Sequence, residues 1–267
     1  MEYLGSLGRL VALSCPSEER VQPAPRYTEE FTVEGRRRVQ VRPASPRVWD
    51  LSVGVATPAE LAALSGFVTG AWGPGPWHWV PVQAQLGNLL TPREAQLVER
   101  ASVSSTSIQD AGPVRDADGL WSPRSVTVSI DSGWVALARD VPVVPGLPFT
   151  FSCDVQGGFT AGQVHVQFYD AAGGSVGLVT GTAPNAGMRR VSATSVVPSG
   201  AVSAIVGVRS QTLVATRPQA TWTPGPVPWS AGHGCRSAVV DGWSEDLLAT
   251  NSYGTYSNAS FSIMEVS

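Results

Sequence analysis

Between residues 9 and 55 apolar and polar positions alternate in short runs. Residues 9–14 (RLVALS) and 26–33 (RYTEEFTV) have strand composition, and a Pro/Glu/Arg-rich loop over 16–25 is expected between them. Residues 38–42 (RVQVR) alternate. Residues 48–55 set Trp49, Leu51, Val53 and Val55 on one face and Val48, Asp50, Ser52 and Gly54 on the other, as a half-buried antiparallel strand requires. The period then changes. Thr57-Pro58-Ala59-Glu60 has the spacing of a capping box with Pro at the first helical position, and Leu61, Leu64 and Val68 follow as one apolar stripe, so a helix begins at Pro58 and stops near Gly70. Residues 70–81 (GAWGPGPWHWVP) hold too much Gly and Pro for a helix and read as a packed turn leading into a short strand, with Trp77 and Trp79 inward and His78 opposite. Residues 83–91 (QAQLGNLLT) follow it, and Asn88–Pro92 (NLLTP) is read as a further strand.

From residue 99 charge thins out. Residues 126–130, 134–137, 149–155, 164–169, 190–196 and 204–208 are short β segments, several of them separated by turn clusters such as Gly157-Gly158, Gly173-Gly174 and Pro198-Ser199-Gly200. Short strands without a helical period predict a sandwich or jelly roll. Residues 221–229 (TWTPGPVPW) break the pattern, and 237–240 and 260–266 are expected as two closing strands. A terminal strand needs a sheet to join. The expected fold is therefore mainly β: an antiparallel β-sandwich or barrel domain with one helix over residues 1–98, completed by 225–267, with a jelly-roll β-sandwich of residues 99–224 inserted between them.

Composition supports a turn-rich β protein. Charged residues are 15% of 267, with 28 Gly and 21 Pro. There is no Lys, so all 18 basic residues are Arg, which together with the Ala, Val, Gly and Pro content points to a GC-rich genome, that of a bacterium or its virus. A net charge of −3 argues against a phosphate-neutralising surface, and Arg36-Arg37-Arg38 reads as the solvated side of a hairpin turn, so no sequence-specific nucleic-acid binding is expected. Cys15, Cys153 and Cys235 have neither metal-site nor disulfide-framework spacing and are read as small buried hydrophobes. Ala12-Leu13-Ser14-Cys15 loosely matches a lipoprotein cleavage site. Glu2 and the interrupted apolar run before it favour a strand instead, and no segment is long and apolar enough to span a membrane.

Candidate chemistry is sparse. Gly173-Gly174-Ser175-Val176-Gly177 has the letters of a nucleophile elbow, but no helix follows and the order Ser175, His233, Asp241 puts the acid after the His. His78, His165 and His233 lack partners at ligand spacing, and Gly73-Pro74-Gly75-Pro76 lacks phosphate-loop spacing. The expectation is no enzyme, no cofactor and no metal. Trp121, Trp134 and Tyr169 could stack on sugar faces, with burial in the core as the alternative.

Several ordered features carry a family resemblance. Residues 36–41 (RRRVQV), Pro46-Arg47-Val48-Trp49, the Thr57 cap, residues 70–79 (GAWGPGPWHW), Asn88-Leu89-Leu90-Thr91-Pro92 and 260–266 (SFSIMEV) resemble minor tail proteins of siphophages that infect actinobacteria. Asp131-Ser132-Gly133-Trp134, Val143-Val144-Pro145-Gly146 and residues 166–170 (VQFYD) resemble a jelly-roll carbohydrate-binding module. The combination is similar to a distal-tail protein. That resemblance implies a homo-hexameric ring joining tail tube to tip, located in the virion after assembly in the host cytoplasm. Its partners would be the tail tube, tail-tip hub and tape measure, with a peripheral sandwich that braces neighbours or touches host wall glycan. Trp72, Gly73, Pro74, Gly75 and Pro76 are then expected as a rigid loop at a subunit contact. The competing expectation is a stand-alone glycan-binding protein of a high-GC bacterium.

Overall fold

The structure is a computed structural model and describes residues 1–14, 16–23, 27–31, 37–41, 46–100, 108–129, 134–157, 164–181, 187–209, 213–251 and 254–266. It is mainly β, with several antiparallel sheets and three short helices among the described residues. The chain divides into two compact units. The first holds Met1–Leu4, Val11–Trp79 and Arg236–Ser267, and the second holds Gly5–Leu10 and Val80–Cys235.

The first unit is organised on strands β1 (Glu2–Ser6), β2 (Arg9–Leu13), β3 (Glu18–Pro23), β6 (Arg47–Ala56), β7 (Trp77–Val80), β19 (Cys235–Asn251) and β20 (Gly254–Glu265), in the spatial order β2-β1-β7-β19-β20-β6-β3. β4 (Tyr27–Phe31) and β5 (Arg37–Val41) form a separate two-stranded ladder. Alternation on β6 works as expected at Trp49, Leu51 and Val53, which are buried together with Phe261 and Ile263 of β20. Val55 departs from it: its φ of 56° and outward side chain place it in a bulge, where its N–H donates to Asn258 Oδ1 at 3.2 Å. The loop expected over 16–25 is instead largely strand β3, paired Glu19 to Leu51 and Val21 to Trp49. Charged, exposed residues suit a strand at the edge of a sheet, and that position hid it from a reading by composition.

The helix α1 (Pro58–Val68) has its full capping box. Thr57 Oγ1 accepts from Glu60 N, and Glu60 Oε2 accepts from Thr57 N at 2.9 Å. Its buried face is Leu61, Leu64 and Phe67, with Gly66 between, and Val68 is only half-buried, so Phe67 takes the place expected of Val68. A second capping box, Thr91 with Glu94, starts the short α3 (Pro92–Ala95), and α2 (Val82–Leu86) precedes it. The further strand expected over 88–92 is thus absent: Asn88–Thr91 connects two helical turns, and Pro92 opens the second.

The second unit is an antiparallel β-sandwich. One sheet runs β16 (Arg189–Val196), β13 (Pro148–Gln156), β18 (Leu213–Thr221), β11 (Val126–Val128) and β8 (Ile108–Asp110). The other runs β12 (Val135–Pro142), β17 (Ser203–Val208), β14 (Val164–Tyr169) and β15 (Ser175–Gly181). β9 (Val114–Arg115) and β10 (Trp121–Ser122) pair apart. The two faces meet through Phe149 on β13 and Phe168 on β14, edge to face at 5.7 Å, surrounded by buried Phe151, Val164, Val166, Leu137 and Leu213. Burying such rings supplies most of a sandwich's cohesion.

The unit boundaries differ from those expected at 98/99 and 224/225. Residues 80–98 and 225–235 group with the sandwich because a buried side chain, Asn88, ties them to β18. Its Oδ1 accepts from Leu90 N and Ala220 N, both at 3.1 Å, and its Nδ2 donates to Pro218 O at 3.2 Å and Ser230 O at 3.1 Å. Leu89 N adds a bond to Ala220 O at 2.7 Å, and Gln219 Nε2 donates to Gly87 O and Pro228 O. Gly234 passes so close that a Cβ there would lie 1.8 Å from Leu89 O. The closing strands are also longer than the expected 237–240 and 260–266, spanning β19 and β20.

Candidate functional site

In the first unit the aromatic turn folds back on α1. Trp72 lies over Gly66, where an added Cβ would fall 1.9 Å from the indole nitrogen, and Trp72 Nε1 donates to Ala63 O at 3.0 Å. Phe67 packs against Trp77 edge to face at 5.1 Å and tilts toward Trp72 at 6.5 Å. Trp77 and Trp79 are buried and His78 is half-buried on the other face. Trp72, Pro74 and Pro76 are exposed, while Gly73 and Gly75 sit at positive φ, which a side chain would resist. The turn is therefore a fixed apolar protrusion.

The β19–β20 hairpin extends past the strands that flank it. The last pair between β20 and β6 is Ser257 with Ala56, whereas β19 and β20 remain paired to Asn251 and Gly254. Leu247 sits opposite Ser257, which sits opposite Ala56, so the three share a sheet face. Ala56 and Ser257 are fully buried, but Leu247 is 66% exposed, and Leu248 beside it and Val55 at the end of β6 are exposed too. The core face runs out of cover at this end.

Glu60 joins α1 to β2. Its Oε1 accepts from Ser14 N at 2.9 Å and from Ser14 Oγ, and its Oε2 accepts from Thr57. Burial alone would raise its pKa, but these hydrogen bonds outweigh burial and hold it at about 2. A shallow polar trough of about 730 Å³ opens on the solvent face of β3, β6 and β20, lined by Glu18, Arg20, Asp50, Ser52, Ser260 and Ser262. Asp50 there is already engaged, accepting from Ser262 Oγ at 2.7 Å and Gln22 Nε2 at 3.1 Å.

In the second unit a bulge in the β13–β18 pairing sets Arg217 at a φ of 52° into a cage of carboxylates. It reaches Asp154 Oδ2 at 2.7 Å, Asp118 Oδ2 at 2.7 Å and Asp116 Oδ2 at 2.8 Å, while Arg190 holds Asp154 Oδ1 at 3.0 Å. Burial alone would lower the Arg217 pKa, and these acids more than offset it and raise it. Asp154 is fully buried, so its two guanidinium partners are what make its charge tolerable there. Both oxygens of Asp116 and of Asp154 face an Arg or a backbone N–H, which makes the cage a brace for the β9–β10 hairpin.

The three aromatics expected at a sugar site are not brought together. Trp134 is half-buried, stacked on His165 at 5.9 Å across Gly207. Tyr169 is half-buried four residues beyond His165 on β14, about 13 Å along the strand. Trp121 stands on the separate β9–β10 ladder, 66% exposed, with the Arg115 guanidinium 4.9 Å from its ring centre. That exposure had no trace in the sequence pattern, because two-residue strands carry no period. Ser175 accepts from Gln167 Nε2 at 3.0 Å, a hairpin contact rather than a nucleophile–base pair. Cys153 is buried, its Sγ 3.2 Å from Thr216 O, and burial pushes its thiol pKa up to about 12, with Arg190 a smaller opposing influence. Cys235 is also buried, and Cys15 and Arg36 lie outside the described residues. Among the described residues no group of three or more His, Cys, Asp or Glu could hold a metal ion. No helix is long and apolar enough to cross a membrane among the described residues.

No protein-family model and no curated protein sequence matches the chain. Among the solved structures that are distantly similar are the following two. One is the enzymatically active domain of bacteriophage CBA120 tailspike protein 4, at 13% identity and a TM-score of 0.37, covering 51% of this chain and 21% of that one. The other is the CBM22-1–GH10 portion of Clostridium thermocellum endo-1,4-β-D-xylanase 10B complexed with xylohexaose, at 14% identity and a TM-score of 0.31, covering 45% and 25%. The chain thus spans a quarter or less of each. What is shared is a β-rich fold, and at this distance the likeness extends to no activity, ligand or specific family.

Proposed function

We propose that the chain is a non-enzymatic structural component of a bacteriophage tail tip. Copies of the first unit join into a ring between tail tube and tip, and the sandwich faces neighbouring tail proteins or host wall glycan. The observation that carries this reading is the overhanging β19–β20 hairpin, whose core-side Leu247 is 66% exposed and has no cover among the described residues. A ring needs a heterologous contact, one patch meeting a different patch on the next copy. The Trp72–Pro76 turn, fixed on α1 and apolar, is the second patch.

The test uses two surface variants, Leu247→Glu with Leu248→Glu, and Ala71→Glu with Pro74→Glu. With no Lys available to amine cross-linkers, mass photometry is the suitable readout. Each variant alone should remain monomeric, and their mixture should give capped dimers, since one intact hairpin meets one intact turn. Assembly of the Leu247/Leu248 variant into the same species as the unmodified chain would remove the proposal. The second reading, a stand-alone glycan-binding protein, is favoured by the exposed Trp121. It predicts a monomer that binds wall glycan.

A further inference from the structure

We infer that residues 224–231 form a strap that lifts off the sandwich as a local unit, between fixed ends, while the two sheets stay folded. The inference goes beyond the tail-tip and glycan readings and depends on neither. It gives the second unit an openable cover over a hydrogen-bonding strip of β13 and β18.

The ends of the strap are clamped. On one side Trp222 N donates to Gln85 O at 2.8 Å, and Thr223 O accepts from Thr150 Oγ1 at 2.7 Å. On the other His233 N donates to Asn88 O at 2.9 Å, Gly234 N donates to Leu90 O at 3.1 Å, and a Cβ at Gly232 would fall 2.3 Å from Leu90 O. Between these clamps the attachment changes in kind. From Pro224 to Ala231 no residue is buried, and Pro224, Pro226 and Pro228 have no N–H to give. Side-chain donors alone hold the main chain there: Thr223 Oγ1 donates to Gly225 O at 2.6 Å, Gln219 Nε2 to Pro228 O at 3.0 Å and Asn88 Nδ2 to Ser230 O at 3.1 Å.

What lies beneath the strap is compatible with water. Gln219 shares its sheet face with Thr221, Thr150 and Ser152 through the β13–β18 register, and all four are buried polar residues. Lifting the strap lets water take over the hydrogen bonds given by Gln219 and Asn88, whereas parting the Phe149–Phe168 contact would expose apolar surface. The closed strap is also incompletely bonded. Trp229 Nε1 and Ser230 Oγ are buried without a hydrogen-bond partner among the described residues, and the Trp229 ring rests against the Arg217 guanidinium, 5.8 Å from the ring centre. Few buried apolar groups and replaceable hydrogen bonds are the marks of a segment that opens at a lower free energy than the whole domain.

Thiol labelling of the full chain tests this. Ser230→Cys puts a reporter thiol at the covered hydroxyl position, and native Cys153, fully buried on β13, reports global opening in the same molecule. Pulses of N-ethylmaleimide are read at each cysteine by peptide mass spectrometry and scaled to the rates in the unfolded chain. Position 230 should be modified about 100-fold or more faster than Cys153, at a rate insensitive to low urea, and Trp229→Ala should raise that rate about tenfold with Cys153 unchanged. Equal protection with equal urea dependence at the two positions overturns the inference. So does modification of position 230 at the unfolded rate, which would mean that no closed strap exists. The unmodified chain supplies a second readout: chymotrypsin should cut after Trp229 before it cuts either sheet, and cutting of the sheets first overturns the inference. Assembly mass enters neither readout, so the tail-tip reading stands or falls separately.

Discussion

Asn88→Ala is the substitution whose consequence follows most directly from the packing. The side chain is fully buried and makes four hydrogen bonds. Truncation leaves the N–H groups of Leu90 and Ala220 without their acceptor, and Pro218 and Ser230 lose a donor to their carbonyls. Each buried unsatisfied donor costs about 1–3 kcal/mol, so the two N–H groups alone imply a loss of ~2–6 kcal/mol. Water entering the vacated space would recover part of that. The assay is urea unfolding of the full chain followed by hydrogen exchange, with residues 80–98 and 225–235 expected to lose protection together. Asn88→Asp sharpens the test. It keeps the acceptor, but turns a second oxygen toward two carbonyls and buries a charge with no cation bonded to it. The folded-state pKa of that Asp is raised, so its penalty is smaller below the unfolded carboxylate pKa and grows as pH rises through the folded value. A loss below ~1 kcal/mol for Asn88→Ala, or a pH-independent penalty for Asn88→Asp, would refute the assignment of Asn88 as the tie.

Three further outcomes follow from the described contacts. Cys153, with its thiol pushed up to about 12 and no solvent access, should resist iodoacetamide in the native chain at pH 8 and alkylate only on unfolding, as read by peptide mass spectrometry. Gly66→Ala places a methyl where the Trp72 indole lies, so the indole should leave α1, shifting tryptophan emission to the red with little loss of helix signal. Glu60 has a folded-state pKa depressed to about 2, so its contribution is present above the ordinary carboxylate value of 4.5 and lost as pH falls toward 2. The stability gap between the unmodified chain and Glu60→Ala should close over that interval in acid denaturation curves. A gap that widens on acidification would show the hydrogen bonds to Ser14 and Thr57 are not what Glu60 supplies.

Local chemistry was legible where the pattern is dense. The Thr57 cap, the pleat of β6 through Val53 and the Gly-rich turn into β15 all follow from neighbours within a few residues. The second cap at Thr91 carries the same Thr-Pro-x-Glu spacing and was readable, though the apolar Leu89 and Leu90 before it suggested a strand. Asn88 was not readable, because its partners Pro218 and Ala220 lie about 130 residues away and nothing near Asn88 announces them. β3 was hidden by its charge and the length of β19 by its acidic Glu245 and Asp246, since both strands take their pairing from distant partners. Trp121 illustrates the same limit from the functional side. Its neighbours suggest a core ring as readily as an exposed one, and only the Arg217 cage beneath the hairpin fixes which it is.

The central claim is assembly of the first unit through its uncovered hairpin. Mass photometry of the unmodified chain over a concentration series, with negative-stain images of the same samples, addresses it most directly. The account predicts a closed annular particle whose mass is a fixed multiple of 28.0 kDa, six copies by the family resemblance, growing at the expense of monomer. A chain that stays monomeric at the highest concentration, with no annular particles, would contradict it.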